Sequence, residues 1–202
     1  MPSIKVYGGP MGSSLRVHWM LAELGVPYET IKLDMSAGDN KKPDYLAINP
    51  TGQIPAMVYD GFVLTESAAI VHYLAEKHDP SFFGPMNPES HATLMRWQYF
   101  VLLDINPGFT TLALKKWGRP QSEEAETKAK ESLNRYLPVF EGWLKDKTYI
   151  TGEAFTVADL VARCTFDYAM FIEYDLTPYP SIVAWMKRCT DRPAYAKAKA
   201  QA

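Results

Sequence analysis

The sequence predicts a chain of two parts, an α/β first part followed by an all-α helical bundle. Residues 78–88 contain three prolines and one glycine, a density typical of a linker. Before this segment, short β-prone runs alternate with helical patterns. After it, only long segments with helical apolar periodicity occur. We therefore expect a domain at residues 1–80, a linker at 81–88 and a second domain at 89–202.

The first part predicts the element order βαβ followed by ββα. Gly25, with Pro27 beyond it, is typical of a helix end, and the Asp60-Gly61 pair is typical of a hairpin turn. The predicted elements are a strand at 4–7, a helix through 15–23, a strand at 28–33, a hairpin of 54–58 and 62–64, and a helix that begins at Ser67.

The second part predicts four long helical segments, at 89–117, 122–144, 156–171 and 181–189. We expect Pro107-Gly108 to kink or interrupt the first, because proline has no N–H to donate within a helix. Thr156 and Asp159 have the spacing of a capping box, in which the two residues satisfy each other's backbone N–H groups. We interpret this pair as structural.

Composition excludes several classes of function. The 202 residues carry a net charge of −2, so the basic patch expected of a partner for nucleic acid or anionic membranes is missing. Neither a secretory signal pattern nor an apolar run near the ~20 residues of a membrane-spanning helix occurs. Cys164 and Cys189 exclude a disulfide framework, and the four histidines lack metal-ligand spacing. We expect a cytoplasmic protein without a metal.

The segment Gln53-Ile54-Pro55 is the first candidate site. A proline cannot donate to a strand ladder, so the following strand begins at Pro55 or bends there. If the Ile54–Pro55 bond is cis, the N–H and C=O of Ile54 are free to pair with an extended peptide. The alternative is an ordinary trans proline in a turn.

The pair Glu66-Ser67 is the second candidate site. It precedes an apolar helix, whose first backbone N–H groups have no partner within the helix. These groups and the Ser67 hydroxyl suit a carboxylate, and the Glu66 carboxylate suits an ammonium group. Together they would hold the head group of an α-amino acid. The alternative is an ordinary helix cap.

The loop between Gly8 and Ser14 is the third candidate site. A serine hydroxyl at the start of a helix can donate to a thiolate and lower the pKa of the thiol. Ser13 and Ser14 are both candidates, Tyr7 at the end of the first strand is a competing donor, and the alternative is that both serines are caps. P-loop, Rossmann, HExxH and GxSxG motifs are missing from the sequence.

Four motifs in order resemble the cytosolic glutathione transferase superfamily over essentially the whole chain. They are 49–56 (NPTGQIPA), 64–70 (LTESAAI), 155–159 (FTVAD) and 192–195 (RPAY), the last like the family's usual start of the final helix. The first part is most similar to the phi and theta classes and their bacterial relatives. The resemblance implies a thioredoxin-like N-terminal domain, an all-helical C-terminal domain, a homodimer, and glutathione as co-substrate in detoxification.

The resemblance also implies roles for individual residues in glutathione binding. It implies a cis bond at Ile54–Pro55, with the Ile54 backbone paired to the cysteinyl unit of glutathione. Glu66 and Ser67 hold the γ-glutamyl head. The glycine carboxylate is assigned to Gln53 and Lys41, with Asn40 where phi enzymes often carry histidine.

The resemblance does not give a single position for the hydroxyl group that activates the thiol. Counting back from Arg16 places the family's serine at Met11 or Gly12, whereas counting forward from Pro10 places it at Gly12 with Ser13 next. Ser13 is the first candidate, Ser14 the second and Tyr7 the third. The loop has no cysteine, which argues against classes that form mixed disulfides.

The predicted function is activation of the glutathione thiol for attack on a small hydrophobic electrophile. The helical domain contributes the electrophile pocket, for which Met11, Phe109, Leu112 and Trp117 are the candidate lining residues. The alternatives are a non-catalytic glutathione-binding or assembly module of the same fold, and a glutathione-dependent peroxidase or isomerase.

Overall fold

The computed structural model describes residues 3–85 and 87–201, which divide into two compact units. Unit 1 contains the chain up to Pro80 together with the segment from Arg192 onward, and unit 2 contains Ser81–Asp191. Met86, within the predicted linker, and residues 1, 2 and 202 of the predicted domains lie outside the described residues.

Unit 1 is built on a four-stranded sheet in the order β2-β1-β3-β4, in which only β1 and β2 are parallel. The predicted order βαβ-ββα is confirmed, and a short extra helix lies between β2 and β3. Its elements are β1 (Ile4–Tyr7), α1 (Ser14–Leu24), β2 (Glu29–Ile31), α2 (Pro43–Leu46), β3 (Ala56–Tyr59), β4 (Phe62–Thr65) and α3 (Ser67–His78).

Local sequence explains where these elements stop. Gly25 ends α1 at φ +65°, and its N–H bonds back to the carbonyl groups of Ala22 and Leu21. In β1, Ile4 and Val6 are buried while Lys5 is exposed, as expected for a strand with one covered face. The helix faces that cover the sheet are strongly apolar, and α3 buries Ile70, Val71 and Leu74.

In the described residues of Ser81–Asp191, unit 2 is a bundle of five α-helices. They are α4 (Pro88–Phe100), α5 (Asn106–Lys116), α6 (Glu123–Leu144), α7 (Val157–Phe171) and α8 (Pro180–Thr190). The helix predicted at 89–117 is interrupted, but by a π-helical turn at Val101–Ile105 that separates α4 from α5. Pro107 and Gly108 lie in the first turn of α5, where a proline is tolerated, and do not themselves break a helix. Gly108 also allows close packing, since a Cβ atom there would lie 2.7 Å from Cγ of Leu133.

The capping box at Thr156 and Asp159 is confirmed and is larger than predicted. Asp159 accepts from the Thr156 N–H at 2.9 Å and the Thr156 hydroxyl at 2.9 Å. It also accepts from the Ile150 N–H at 2.8 Å and the Trp185 indole N–H at 2.9 Å. Burial raises the pKa of Asp159, and these four donors oppose that rise. One carboxylate therefore ties α7 to the preceding loop and to α8.

The last helix, α9 (Pro193–Lys199), packs in unit 1, although its position in the sequence places it with the helical part. Arg192 donates to both carboxylate oxygens of Glu23 on α1 at 2.7 Å, and the ring of Tyr195 lies edge-on to Trp19 at 4.8 Å. This ion pair and ring contact supply the partner that determines where residues 192–201 pack.

The predicted linker is also more ordered than its composition indicates. Pro80–Phe83 forms a 3₁₀ turn, and both Phe82 and Phe83 are buried. Phe82 packs edge-on to Phe155 with ring centroids 6.4 Å apart. Burial of two aromatic rings explains why residues after Pro80 belong to unit 2 and not to a free linker.

Candidate active site

A cavity of about 210 Å³ in unit 1 collects most of the predicted binding residues. Three segments meet there: the start of α1, the loop before β3, and the start of α3. The lining residues are Ser13, Arg16, Asn49, Gln53, Ile54, Pro55, Glu66 and Ser67. The sheet order explains this convergence, because the antiparallel register places Ala56, at the start of β3, opposite Tyr7 at the end of β1 and Thr65 at the end of β4.

The loop before β3 is held by side chains on both sides. The Ile54–Pro55 bond is cis, which confirms the prediction for this bond. The carbonyl of Gln53 accepts from the Tyr45 hydroxyl and from Nδ2 of Asn49 at 2.7 Å. Burial raises the pKa of Tyr45, so its phenol stays protonated and remains a donor near neutral pH. The backbone of Ile54 is thus presented to the cavity by a fixed loop.

The start of α3 combines a strained backbone with a buried hydroxyl. Glu66 lies at φ +65°, a conformation that residues with a Cβ rarely adopt, and its carbonyl accepts the Ile70 N–H at 2.9 Å. Ser67 is buried, and its Oγ accepts from Nη1 of Arg16 at 3.0 Å. The positive end of α3 and the Arg16 guanidinium favour a carboxylate here, while the exposed Glu66 side chain favours an ammonium group.

The three candidate hydroxyl groups lie in different environments. Ser13 lines the cavity, and its hydroxyl donates to the Ile54 carbonyl at 3.1 Å. Ser14 is 0% exposed, and its Oγ has no hydrogen-bond partner among the described residues. Tyr7 lines a separate cavity of about 330 Å³ with Leu33 and Tyr45. Of the three, only Ser13 lies with the other predicted binding residues.

Asn40 and Lys41 lie beside the cavity and not in its lining. They belong to a 3₁₀ turn at Asp39–Lys41, and Nδ2 of Asn40 donates to the Gly52 carbonyl at 2.7 Å. Gly52 lies at φ +64°, and a Cβ atom there would lie 3.1 Å from the Asn40 carbonyl oxygen. Asn40 therefore fixes the loop that carries Gln53. Lys41 is exposed on the same turn.

The four residues predicted for the electrophile pocket differ in exposure. Met11, in unit 1, is 74% exposed. In unit 2, Leu112 lines a cavity of about 480 Å³ with Lys115 and Lys116, and Trp117 is 46% exposed with its ring stacked on Phe171. Phe109 is 0% exposed and packs edge-on to Phe166 and Tyr174. Phe109 is therefore a core residue of unit 2, which corrects its assignment to a pocket.

Two cavity-lining residues, Arg16 and Asn49, were not predicted as site residues from the sequence. Arg16 lies between Leu15 and Val17 on an almost fully buried stretch of α1, and an arginine in such a stretch signals a buried polar partner. Asn49 belongs to the NPTGQIPA motif, and its Oδ1 accepts from the Thr51 hydroxyl at 2.8 Å.

The described residues contain neither a metal-ligand cluster nor a helix that could span a membrane. Across residues 3–85 and 87–201, no cluster of three or more His, Cys, Asp or Glu side chains is arranged to hold a metal ion. No helix in the same ranges has both the length and the apolar character needed to span a membrane.

Two models of known protein families match this chain, one over most of each unit. The family model "Glutathione S-transferase, N-terminal domain" matches residues 2–76, and "Glutathione S-transferase, C-terminal domain" matches residues 93–193. Among curated proteins, glutathione S-transferase GstA of Escherichia coli O157:H7 is 31% identical over 194 residues, covering 94% of each chain.

Solved structures give the same result. A glutathione S-transferase from Pseudomonas fluorescens is 33% identical, with a TM-score of 0.84 over 95% of this chain and 96% of that one. The glutathione transferase URE2P6 of Phanerochaete chrysosporium, solved with oxidized glutathione, is 28% identical, with a TM-score of 0.87 over 97% of this chain and 94% of that one.

Proposed function

Since this chain belongs to the glutathione S-transferase family, we propose that it activates the thiol of glutathione for attack on a small hydrophobic electrophile. One observation carries the proposal. The Ser13 hydroxyl, the Ile54 backbone and the Glu66-Ser67 helix start line one cavity of about 210 Å³. These are a thiol-directed donor, a peptide-pairing backbone and an amino-acid head-group site.

The proposed binding mode follows the three parts of the tripeptide. The γ-glutamyl carboxylate lies at the Ser67 end of α3 beside Arg16, and its ammonium group pairs with Glu66. The cysteinyl unit pairs with the backbone of Ile54 in extended form. The glycine carboxylate reaches Gln53, with Asn40 and Lys41 on the neighbouring turn.

The chemical step needs only modest stabilisation of the thiolate. The thiol pKa of free glutathione lies near that of cysteine, about 8.5, and each unit of lowering corresponds to about 1.4 kcal/mol. A hydrogen bond to a charged group contributes roughly 1.5–3 kcal/mol. In this structure the Ser13 hydroxyl donates to the Ile54 carbonyl oxygen at 3.1 Å. When glutathione pairs with that carbonyl instead, the Ser13 hydroxyl can turn to the sulfur. The thiol proton passes to solvent, and attack by the thiolate forms a carbon–sulfur bond while the leaving group of the electrophile, such as the halide of an aromatic halide, departs with the electron pair of the bond that breaks.

Replacing Ser13 tests the proposed role of its hydroxyl. We expect Ser13→Ala to raise the pKa of the bound glutathione thiol by about one to two units, because one donor to the thiolate is lost. Titration of thiolate absorbance in the ultraviolet measures this. Ser14→Ala is the matched control, since the Ser14 hydroxyl is buried away from the cavity.

The same titration distinguishes the other two candidates. A raised thiol pKa in Ser14→Ala with an unchanged value in Ser13→Ala would move the role to Ser14. A raised value in Tyr7→Phe alone would move it to Tyr7, despite the separate cavity that Tyr7 lines.

One observation supports a second function, a glutathione-binding or assembly module without turnover. The Ser13 hydroxyl is already engaged with the Ile54 carbonyl, and Glu66 and Ser67, proposed to hold the γ-glutamyl head, lie on a different segment at the start of α3. Retention on a glutathione matrix without conjugation of an aromatic halide would favour this function. Peroxide reduction or isomerisation by the same thiolate is separated from conjugation by assay with a peroxide and with an isomerisable substrate.

We also propose a homodimeric, cytoplasmic protein of detoxification. The support for a second copy is β4, an edge strand of the sheet that leaves Phe62 49% exposed and Val63 43% exposed. The molar mass in solution tests the dimer, and a monomeric mass at micromolar concentration would contradict it.

A further inference from the structure

A fully buried histidine on α1 links the end of β1 to the start of β2. His18 is 0% exposed. Its Nε2 lies 2.8 Å from the Gly8 carbonyl oxygen at the end of β1, and its Nδ1 lies 2.9 Å from the Tyr28 hydroxyl before β2. His18 is not among the residues that line the cavity.

The partners of His18 determine its tautomer. A carbonyl oxygen only accepts, so Nε2 carries the proton and Nδ1 accepts from the Tyr28 hydroxyl. Burial lowers the pKa of His18, although the bond to Gly8 opposes this, and the ring is therefore neutral near pH 7. Burial also raises the pKa of Tyr28 to about 12, so the phenol keeps the proton that it donates.

Gly8 lies close to the start of α1 on one side and to Ile54 on the other, with no room for a side chain between them. It lies at φ +108°, and a Cβ atom there would lie 2.7 Å from Oγ of Ser14 and 3.1 Å from Cβ of Ile54. Its own N–H donates to the Ile31 carbonyl at 3.0 Å. Movement of Gly8 would therefore shift the loop leading to Ser13 relative to Ile54, the residue to which the Ser13 hydroxyl donates.

We propose that His18 is a positioning residue for thiol activation. Its hydrogen bond to Gly8 holds the Gly8–Ser13 turn at a fixed distance from Ile54. At this distance the Ser13 hydroxyl can reach the sulfur of bound glutathione. The inference rests on the proposed function of Ser13. Of the residues proposed to bind glutathione, Ile54 belongs to this contact chain, whereas Glu66 and Ser67, at the start of α3, lie outside it. Loss of His18 should therefore affect activation more than affinity.

Two substitutions at His18 test the inference. His18→Leu removes both ring nitrogens but keeps an apolar side chain, whereas His18→Gln keeps an N–H donor that can reach the Gly8 carbonyl. For His18→Leu we expect kcat to fall about tenfold, since a misplaced catalytic group costs up to about a hundredfold. We expect a higher thiol pKa of bound glutathione, a Kd for glutathione within about threefold, and recovery of most of kcat in His18→Gln.

Three results would overturn the role of His18. These are a wild-type thiol pKa in His18→Leu, no recovery in His18→Gln, or ¹⁵N ring shifts of the wild-type protein that place the proton on Nδ1. If His18→Leu does not fold, Tyr28→Phe replaces it. This variant keeps the bond from Nε2–H to the Gly8 carbonyl but leaves Nδ1 without its donor, so the ring is held less firmly and the thiol pKa should rise by a smaller amount. An unchanged thiol pKa would overturn the inference.

Failure of the role of His18 and failure of the proposed function give different thiol pKa values. A wild-type protein whose bound glutathione keeps the thiol pKa of free glutathione would overturn the proposed function and the role of His18 with it. A lowered thiol pKa that is equal in wild type and His18→Leu overturns the inference alone.

Discussion

At the scale of the residue, Glu66 shows a conflict between backbone preference and the chemistry of its side chain. Its φ of +65° favours glycine, yet a carboxylate is placed there at the edge of the cavity. Strained non-glycine residues persist where the surrounding structure fixes them, often at functional sites. The carboxylate proposed to hold the ammonium group of glutathione is thus present at a cost in stability.

Two substitutions at Glu66 separate this strain from binding. Glu66→Gly and Glu66→Ala both remove the carboxylate, so we expect both to weaken glutathione binding, measured by calorimetry, to the same degree. Only glycine relieves the backbone, so its free energy of unfolding should exceed that of Glu66→Ala by about 1 kcal/mol in denaturant titrations. Equal stabilities would show that the backbone at Glu66 is unstrained, and unchanged binding would remove Glu66 from the site.

The site residues that could be predicted from the sequence are those whose role depends on their immediate neighbours in the chain. Gln53-Ile54-Pro55 and Glu66-Ser67 are identifiable because turn chemistry and a helix start are features of neighbouring residues. The hydrogen bond between Arg16 and Ser67 was not, since it joins residues 51 positions apart. The difference between Ser13 and Ser14 depends on which way each side chain leaves the first turn of α1, and adjacent serines carry no signal for it.

At the scale of the element, two helix N-termini of unit 2 are capped to very different degrees. Asp159 in α7 accepts four hydrogen bonds in a fully buried position. Ser122 at the start of α6 accepts one, from the Ala125 N–H at 3.2 Å, in an exposed position. A simple N-cap hydroxyl therefore serves α6 alone, whereas the capping box of α7 joins three segments: the preceding loop, α7 and α8.

Removal of each cap should reveal this difference. Asp159→Ala leaves buried donors from Ile150, Thr156 and Trp185 without their acceptor, so we expect a loss of about 3–5 kcal/mol in the free energy of unfolding. Ser122→Ala should cost about 1 kcal/mol. Denaturant unfolding monitored by tryptophan fluorescence and circular dichroism measures both. Similar losses for the two variants would contradict the central role of Asp159.

At the scale of the whole molecule, the division into units depends on contacts between residues far apart in the chain. The Glu23–Arg192 pair spans 169 positions, and the Glu23 side chain is only 8% exposed. Glu23 also accepts from the Trp19 indole at 2.9 Å. A seven-residue helix such as α9 has no sequence signal for its packing partner, which is why the predicted boundary assigned residues 192–202 to the helical domain.

Substitution of Arg192 tests the attachment of the last segment to unit 1. Arg192→Ala leaves a poorly exposed carboxylate on α1 without its guanidinium, and we expect a loss of about 2–4 kcal/mol in the free energy of unfolding. Lys187→Ala is the matched control, because the Lys187–Asp191 pair has side chains 74% and 59% exposed and should contribute less than about 1 kcal/mol. Equal effects of the two variants would show that the Glu23 pair does not hold unit 1 together.

The return of the chain to unit 1 has a consequence for how the protein is made. Domains generally fold during synthesis in the order in which they leave the ribosome, the N-terminal one first. In the sequence, unit 2 separates the two pieces of unit 1. The partners of Trp19 and Glu23 are therefore translated more than 160 residues after them. Unit 1, although most of it is synthesised first, is therefore the last to complete its packing, after unit 2 has emerged in full.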